Sequence, residues 1–192
     1  KALGLCTLYI GISGALKGEN TLILILSMVL GTLVGEALDL DKRINRLGEW
    51  LESKFQKKES EHSIAEGFVT ASLLFCVGAM SVVGALQSGL SGDHQMLYTK
   101  SLLDFVSSII FASSLGFGVL FSAAFVLVYQ GSIALLAAWV APLLSDAAVA
   151  EMTCVGSVII IGLGLNMLGI SKFKVMNFVP AIFIPIVLCL FM

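Results

Sequence analysis

Residues 101–145 read SLLDFVSSIIFASSLGFGVLFSAAFVLVYQGSIALLAAWVAPLLS and decide the class of fold. Asp104 is the one charged residue among these 45 positions. A transmembrane helix needs about 20 apolar residues, so the stretch is too long for one span and suits two. Gly116 and Gly118 form the predicted hinge between the two spans, because glycine permits a tight turn.

The composition of the whole chain agrees with this membrane assignment. Of 192 residues, 58% are hydrophobic and only 12% are charged, against about 25% charged in an ordinary soluble domain. Thirteen of the 24 charged residues lie between Asp39 and Glu66, and the rest of the chain is too apolar to face water. Soluble, disordered and nucleic-acid-binding proteins are therefore excluded. The sequence predicts an all-α polytopic membrane protein, a single transmembrane domain over residues 1–192 in the lipid bilayer.

Seven apolar segments suit transmembrane helices of about 20 residues, of which the first is short. The chain begins at Lys1 rather than at a methionine, so we expect residues upstream, and the internal repeat described below asks for an eighth span among them. The seven predicted spans cover residues 2–17, 21–38, 64–89, 98–117, 119–143, 152–170 and 175–192.

The loop over residues 39–62 is predicted to be cytoplasmic, because it carries six Lys and Arg residues and positive loops stay inside. Within it, Ile44, Leu47, Leu51 and Phe55 recur at three- and four-residue spacing. This spacing predicts an amphipathic helix over 41–57 that lies on the inner membrane surface. It is either a lipid-sensing or gating element or simply an anchor for the topology.

An internal repeat is suggested by two glycine-rich segments. Residues 11–18 read GISGALKG and residues 162–169 read GLGLNMLG, an offset of 151. The two hairpins around them would cross the membrane in opposite directions. This favours a three-helix inverted repeat, an architecture common in secondary transporters.

Asp104 is the strongest candidate for an ion or substrate site, since an ionisable group within a span is costly and often functional. One alternative is a local ion pair with Lys100, one turn earlier, whose amine reaches the interface. The other is a cation or proton site formed by the carboxylate.

Lys100 and four further polar residues complete the predicted pathway. Gln87, Gln130 and Asn166 are intramembrane amides, which serve either as hydrogen-bonding contacts between helices or as ligands. Glu66 begins the third predicted span. It lies either at the inner mouth of a pathway or in a structural capping box with Ser63.

The sequence contains no His-Glu-x-x-His, Gly-x-Ser-x-Gly or phosphate-loop motif, and its cysteines have no metal-binding spacing. We therefore expect no enzyme activity, no cofactor and no metal site. The favoured function is passage of a small ion or solute, with coupling to protons as one form. The alternative is a non-transporting scaffold or regulatory protein that uses the 41–57 helix. Small residues along the third span, among them Gly67 and Ala71, favour a homodimer.

Several motifs are distinctive enough to suggest a family: FVTASLLFCVGAM at 68–80, QSGLSGD at 87–93, Lys100-Ser-x-x-Asp104 and Tyr129-Gln-Gly131. Over essentially its whole length the chain resembles the YqgA/YdfK-like bacterial inner-membrane proteins, domain-of-unknown-function family 554. The resemblance implies a bacterial inner-membrane protein with a further N-terminal span. It brings no established activity or site residues.

Overall fold

The computed structural model describes residues 1–43, 45–46, 50, 64–77 and 79–191, and every regular element in these ranges is helical. The all-α prediction is confirmed for this part of the chain. The α-helices are α1 Ala2–Ala15, α2 Thr21–Leu38, α3 Ile64–Cys76, α4 Ala79–Ser91, α5 Gln95–Leu115, α6 Gly118–Leu135, α7 Ala137–Val140, α8 Asp146–Leu168 and α9 Ile184–Phe191. Two 3₁₀ segments, Ala141–Leu143 and Val175–Phe183, join them.

Three of these helices are long and apolar enough to cross a membrane: α2, α6 and α8. The pair α3 and α4 is a fourth candidate, bent by 61° at a short break. Helix α1 and the stretch Val175–Leu190 are apolar but shorter. The count of seven spans and the eighth span upstream stay predictions. The amphipathic helix at 41–57 falls mostly outside the described residues.

Three predicted boundaries need correction. The segment 64–89 is broken after Cys76, where the Ser81 hydroxyl donates to the Phe75 carbonyl at 2.9 Å and satisfies an acceptor freed by the break. The segment 119–143 is also interrupted, since α6 ends at Leu135 and only two short helical segments follow it. The second of these contains Pro142, which has no N–H to continue a helix.

The third correction concerns the start of α8. This helix begins at Asp146 rather than at 152, because the Ser145 hydroxyl accepts a hydrogen bond from the Ala148 N–H and caps it. The hinge near Gly116 is confirmed, since this residue ends α5 with a φ of +70°. Gly118, the other predicted hinge residue, is the first residue of α6.

The first compact part of the chain, unit 1, comprises Lys1–Asp41, Val77–Ala79 and Ala138–Met192. Here α1 packs on α8, and α2 packs on the 3₁₀ segment Val175–Phe183. A Cβ on Gly11 would lie 2.9 Å from the Ser157 carbonyl, and a Cβ on Gly35 would overlap the Asn177 backbone. Glycine therefore lets the backbones of both pairs touch.

The second part, unit 2, comprises Lys42–Cys76 and Met80–Ala137. Helix α3 packs against α6, with Gly67 against Gly118, and the Phe75 and Phe111 rings meet edge to face at 6.0 Å. Ala71 is fully buried. The small residues that favoured a homodimer are thus used for packing inside the chain, and the dimer stays a prediction.

Candidate functional site

Unit 2 contains an open cavity of about 690 Å³ between α5 and α6, with Phe75 of α3 also in its lining. This volume falls in the range of small-molecule sites, about 300–1,000 Å³. Most of the lining is apolar, as is typical of such sites. The polar lining residues are Ser101, Asp104, Ser108, Ser122 and Gln130.

Asp104 pairs with Lys100 on the preceding turn of α5, Oδ2 to Nζ. The Lys100 side chain is buried, whereas 28% of the Asp104 side chain remains exposed and lines the cavity. The local ion pair expected from the sequence is therefore present. The same carboxylate also faces the space where a ligand could bind, so the two interpretations of Asp104 are compatible.

Gln130 reaches the cavity from α6, which runs unbroken through residues 129–132. Its Nε2 atom is buried and has no hydrogen-bond partner among the described residues. A buried amide donor without a partner costs about 1–3 kcal/mol. Such a donor is therefore available to a polar group that enters the cavity.

Two serine hydroxyls prepare the cavity to accept positive charge. Ser108 donates its proton to the Phe105 carbonyl at 2.8 Å, and Ser122 donates to the Val119 carbonyl at 2.7 Å. Because each hydroxyl proton is occupied by the helix, the lone pairs of its oxygen remain as acceptors. Together with the Asp104 carboxylate, these oxygens are the type of ligand that a small cation prefers.

Of the other predicted site residues, Lys100 reaches Asp104 without lining the cavity, and the remaining three do not line it either. Glu66 is exposed in the first turn of α3, where a negative charge stabilises the helix N-terminus. Its capping-box partner Ser63 lies outside the described residues. Gln87 is half-buried on α4.

Asn166 lies in unit 1, where its side-chain amide makes hydrogen bonds to the residues that follow α8. Its Oδ1 accepts from the Ser171 hydroxyl and from the Phe173 N–H, and its Nδ2 donates to the Phe173 carbonyl, each at 2.8 Å. These three hydrogen bonds fix the link that follows α8. The amide is thus a contact within the fold, which is the first of the two alternatives for it.

Two buried polar residues of unit 1 are not among the predicted site residues. Glu151 is 3% exposed on α8, and Asn177 is fully buried in the 3₁₀ segment Val175–Phe183. Asn177 Oδ1 accepts from the Asp41 N–H at 2.8 Å. Ser145 is the sequence signal that could have located Glu151. A serine at this position predicts a helix that begins at Asp146, and Glu151 then lies inside α8.

Comparison with known proteins identifies the relatives of this chain. The family described as "Protein of unknown function (DUF554)" matches residues 1–190. The uncharacterized membrane protein YdfK of Bacillus subtilis (strain 168) is 35% identical over 189 residues, covering 96% of this chain and 79% of YdfK. The uncharacterized protein YqgA of Escherichia coli (strain K12) is 34% identical over 182 residues, covering 93% of this chain and 77% of YqgA. No solved structure matches. The family match over nearly the full length, with two relatives above 30% identity, means that the chain belongs to the DUF554 family.

Proposed function

We propose that this membrane protein passes a small cation or a small polar solute through the cavity of unit 2, with Asp104 as the carboxylate that binds it. One observation carries the proposal. Asp104 and Gln130, singled out from the sequence as pathway residues, line the same cavity together with hydroxyl oxygens that can accept positive charge. A purely structural ion pair would not need this space beside it.

Lys100 gives the site a mechanism for binding and release. Its amine already neutralises Asp104, so an arriving cation must compete with it for the carboxylate. Competition keeps binding weak, and weak binding allows a permeating ion to leave again. A proton on Asp104 would also release the amine, which is how transport could be coupled to protons.

The proposal includes the finer topology: seven spans in this chain, a bacterial inner-membrane location and a cytoplasmic 39–62 loop. The last predicted span is supported by its 3₁₀ geometry. Nine residues of 3₁₀ helix at about 2.0 Å each and eight residues of α9 at about 1.5 Å each give about 30 Å. That equals the hydrocarbon core of a bilayer, about 30 Å, whereas an α-helix of the same residues would reach only about 25 Å.

Contacts within unit 1 support the inverted repeat. Gly11 packs against Ile161, and Gly31 packs against Ala181, and in both pairs the partner lies 150 positions later. That separation differs by one from the offset of 151 between the glycine motifs. Contacts between equivalent positions are what a twofold axis between two inverted hairpins would produce.

Flux measurements in proteoliposomes test the proposed function. The full-length protein is reconstituted and exposed to a panel of alkali-ion and proton gradients, with a dye reporting flux. Asp104→Asn is expected to abolish the flux, because it removes the charge that binds the cation. Asp93→Asn is the matched control, since Asp93 is an exposed carboxylate of the same unit outside the cavity. Equal flux in wild type and Asp104→Asn would overturn the role of Asp104, and no flux under any gradient would favour the scaffold function.

A further inference from the structure

Unit 1 contains a second carboxylate with an unusual environment. Glu151 of α8 is 97% buried, since only 3% of it is exposed. Its Oε1 atom accepts two backbone hydrogen bonds, from the N–H groups of Glu19 and Asn20, each at 2.8 Å. Its Oε2 atom is buried and has no partner among the described residues. One oxygen therefore holds the turn between α1 and α2, and the other is unused.

The Oε1 contacts connect the carboxylate to the start of α2. The Asn20 side chain caps this helix by accepting from the Leu22 N–H at 3.0 Å, while its own N–H donates to Glu151. The carboxylate thus lies at the positive end of the α2 dipole, where the helix N-terminus attracts a negative charge. Hydrogen bonds to an ionised acceptor are roughly twice as strong as those to a neutral one. The charge state of Glu151 therefore decides how firmly the α1–α2 turn is held.

The surroundings of Oε2 suit a proton better than a metal ion. A Cβ on Gly18 would overlap Cys154 and lie 3.6 Å from Oε2, so the missing side chain lets Cys154 and Glu151 pack closely against the α1–α2 turn. The described ranges contain no group of three His, Cys, Asp or Glu residues that could hold a metal ion. A proton needs no such set of ligands.

Other ionisable groups near Glu151 are few. On α8 itself, the Cys154 thiol donates to the Ala15 carbonyl at 3.2 Å, and α9 brings the Cys189 thiol within electrostatic reach. The α1–α2 turn carries Lys17 and Glu19, both exposed to solvent. None of these groups makes a hydrogen bond to Oε2 in the described structure.

We propose that Oε2 of Glu151 is a proton-binding site, and that protonation loosens the α1–α2 turn from α8. The proton adds to Oε2 and the carboxylate becomes a neutral carboxylic acid, so no other bond is broken. Oε1 then accepts the two N–H groups only as a neutral carbonyl oxygen, and both hydrogen bonds weaken. This site is independent of the proposed passage through unit 2, and its test does not measure flux.

Hydrogen exchange at the Glu19 and Asn20 amides tests the proposal in the full-length protein in lipid nanodiscs. After correction for intrinsic exchange, protection is expected to fall about tenfold as the pH is lowered, the loss that corresponds to about 1.4 kcal/mol. Glu151→Gln, a neutral side chain that keeps the acceptor, is expected to show the low protection at every pH. Asp146→Asn removes an exposed carboxylate from the same helix and should keep the wild-type response.

Two results would overturn the proposal. One is protection that does not change with pH in the wild type, or that changes equally in Glu151→Gln. The other is an equal loss of protection when an alkali ion is added at constant pH, which would assign Oε2 to a metal cation. If Glu151→Gln does not fold, infrared spectra of the wild type and Asp146→Asn replace it. A carboxylic-acid carbonyl band must then appear in both as protection falls, and its absence would contradict the proposal.

Discussion

The two compact units each hold a carboxylate on a helix, and they stabilise it by different means. In unit 1, Glu151 is almost fully buried and its charge is balanced by two backbone N–H groups at a helix N-terminus. In unit 2, Asp104 is partly exposed beside a cavity and its charge is balanced by the amine of the buried Lys100 side chain. Backbone donors cannot move away without unfolding the turn, whereas a lysine amine can exchange with another cation.

The packing around the two carboxylates shows part of the same division. Unit 1 is held by glycines whose backbones touch the neighbouring helix, and Gly11, Gly31 and Gly35 leave no space for a Cβ. In unit 2, Gly67 and Gly118 bring α3 and α6 equally close, but Gly131, on a helix that lines the cavity, has open space around it, where a Cβ would meet nothing within 4 Å. The comparison suggests that close contact is shared by both units, and that α6 of unit 2 also keeps an open side that a ligand can reach. The following variants test this division.

The largest effect is expected for Gly35→Ala in unit 1. The new Cβ would overlap the backbone of Asn177, which cannot move aside as a flexible side chain could. Overpacking of this kind costs about 3 kcal/mol of unfolding free energy. Gly131→Ala is the matched control, and in open space it should be neutral or stabilise α6 by up to about 1 kcal/mol. Thermal unfolding in detergent measures both, and equal midpoints would contradict the division.

A smaller loss is expected for Asn166→Ala. The variant removes three hydrogen bonds that fix the link after α8 and leaves the Phe173 N–H without its acceptor. We expect a loss of about 2 kcal/mol in unfolding free energy and no change in flux per folded protein. A selective loss of flux with unchanged stability would instead return Asn166 to the ion pathway.

The smallest effect is expected for Lys100→Met in unit 2. Removing the amine frees Asp104 for the transported cation, so the cation concentration that gives half-maximal flux should fall about fivefold, or about 1 kcal/mol. The partial exposure of Asp104 limits the gain, because water already screens the pair. Lys174→Met, at an exposed position, serves as the control. A higher half-maximal concentration would show that Lys100 assists binding rather than competing with it.

Local signals in the sequence predicted some elements well. Helix α2 occupies the predicted residues 21–38, because Asn20 caps an uninterrupted apolar run. The span predicted over 152–170 is wrong at its start, because a charged residue need not end a span and Glu151 lies inside α8. The 3₁₀ geometry of Val175–Phe183 is not predicted from the sequence. Close packing on Gly31 and Gly35, far away in the sequence, accompanies that geometry, and Pro180 within the segment is a local signal of an irregular helix.

The candidate site was predictable only in part, because it too depends on packing between residues far apart in the sequence. Asp104 stands out because it is the one charge in a long apolar stretch, and Gln130 stands out as an amide within a span. Gln87 and Asn166 look the same in sequence, yet they do not line the cavity. Which amide faces a cavity depends on how α3, α5 and α6 pack, and no local pattern encodes that packing.

The most direct test of the central claim measures flux and thermal unfolding on the same preparation of Asp104→Asn. The account predicts that flux is lost while the unfolding midpoint stays within a few degrees of the wild type, since a partly exposed ion pair contributes at most about 1 kcal/mol. Flux that persists while the midpoint drops sharply would contradict the account. Asp104 would then be a structural partner of Lys100, and the cavity beside it would not be the pathway.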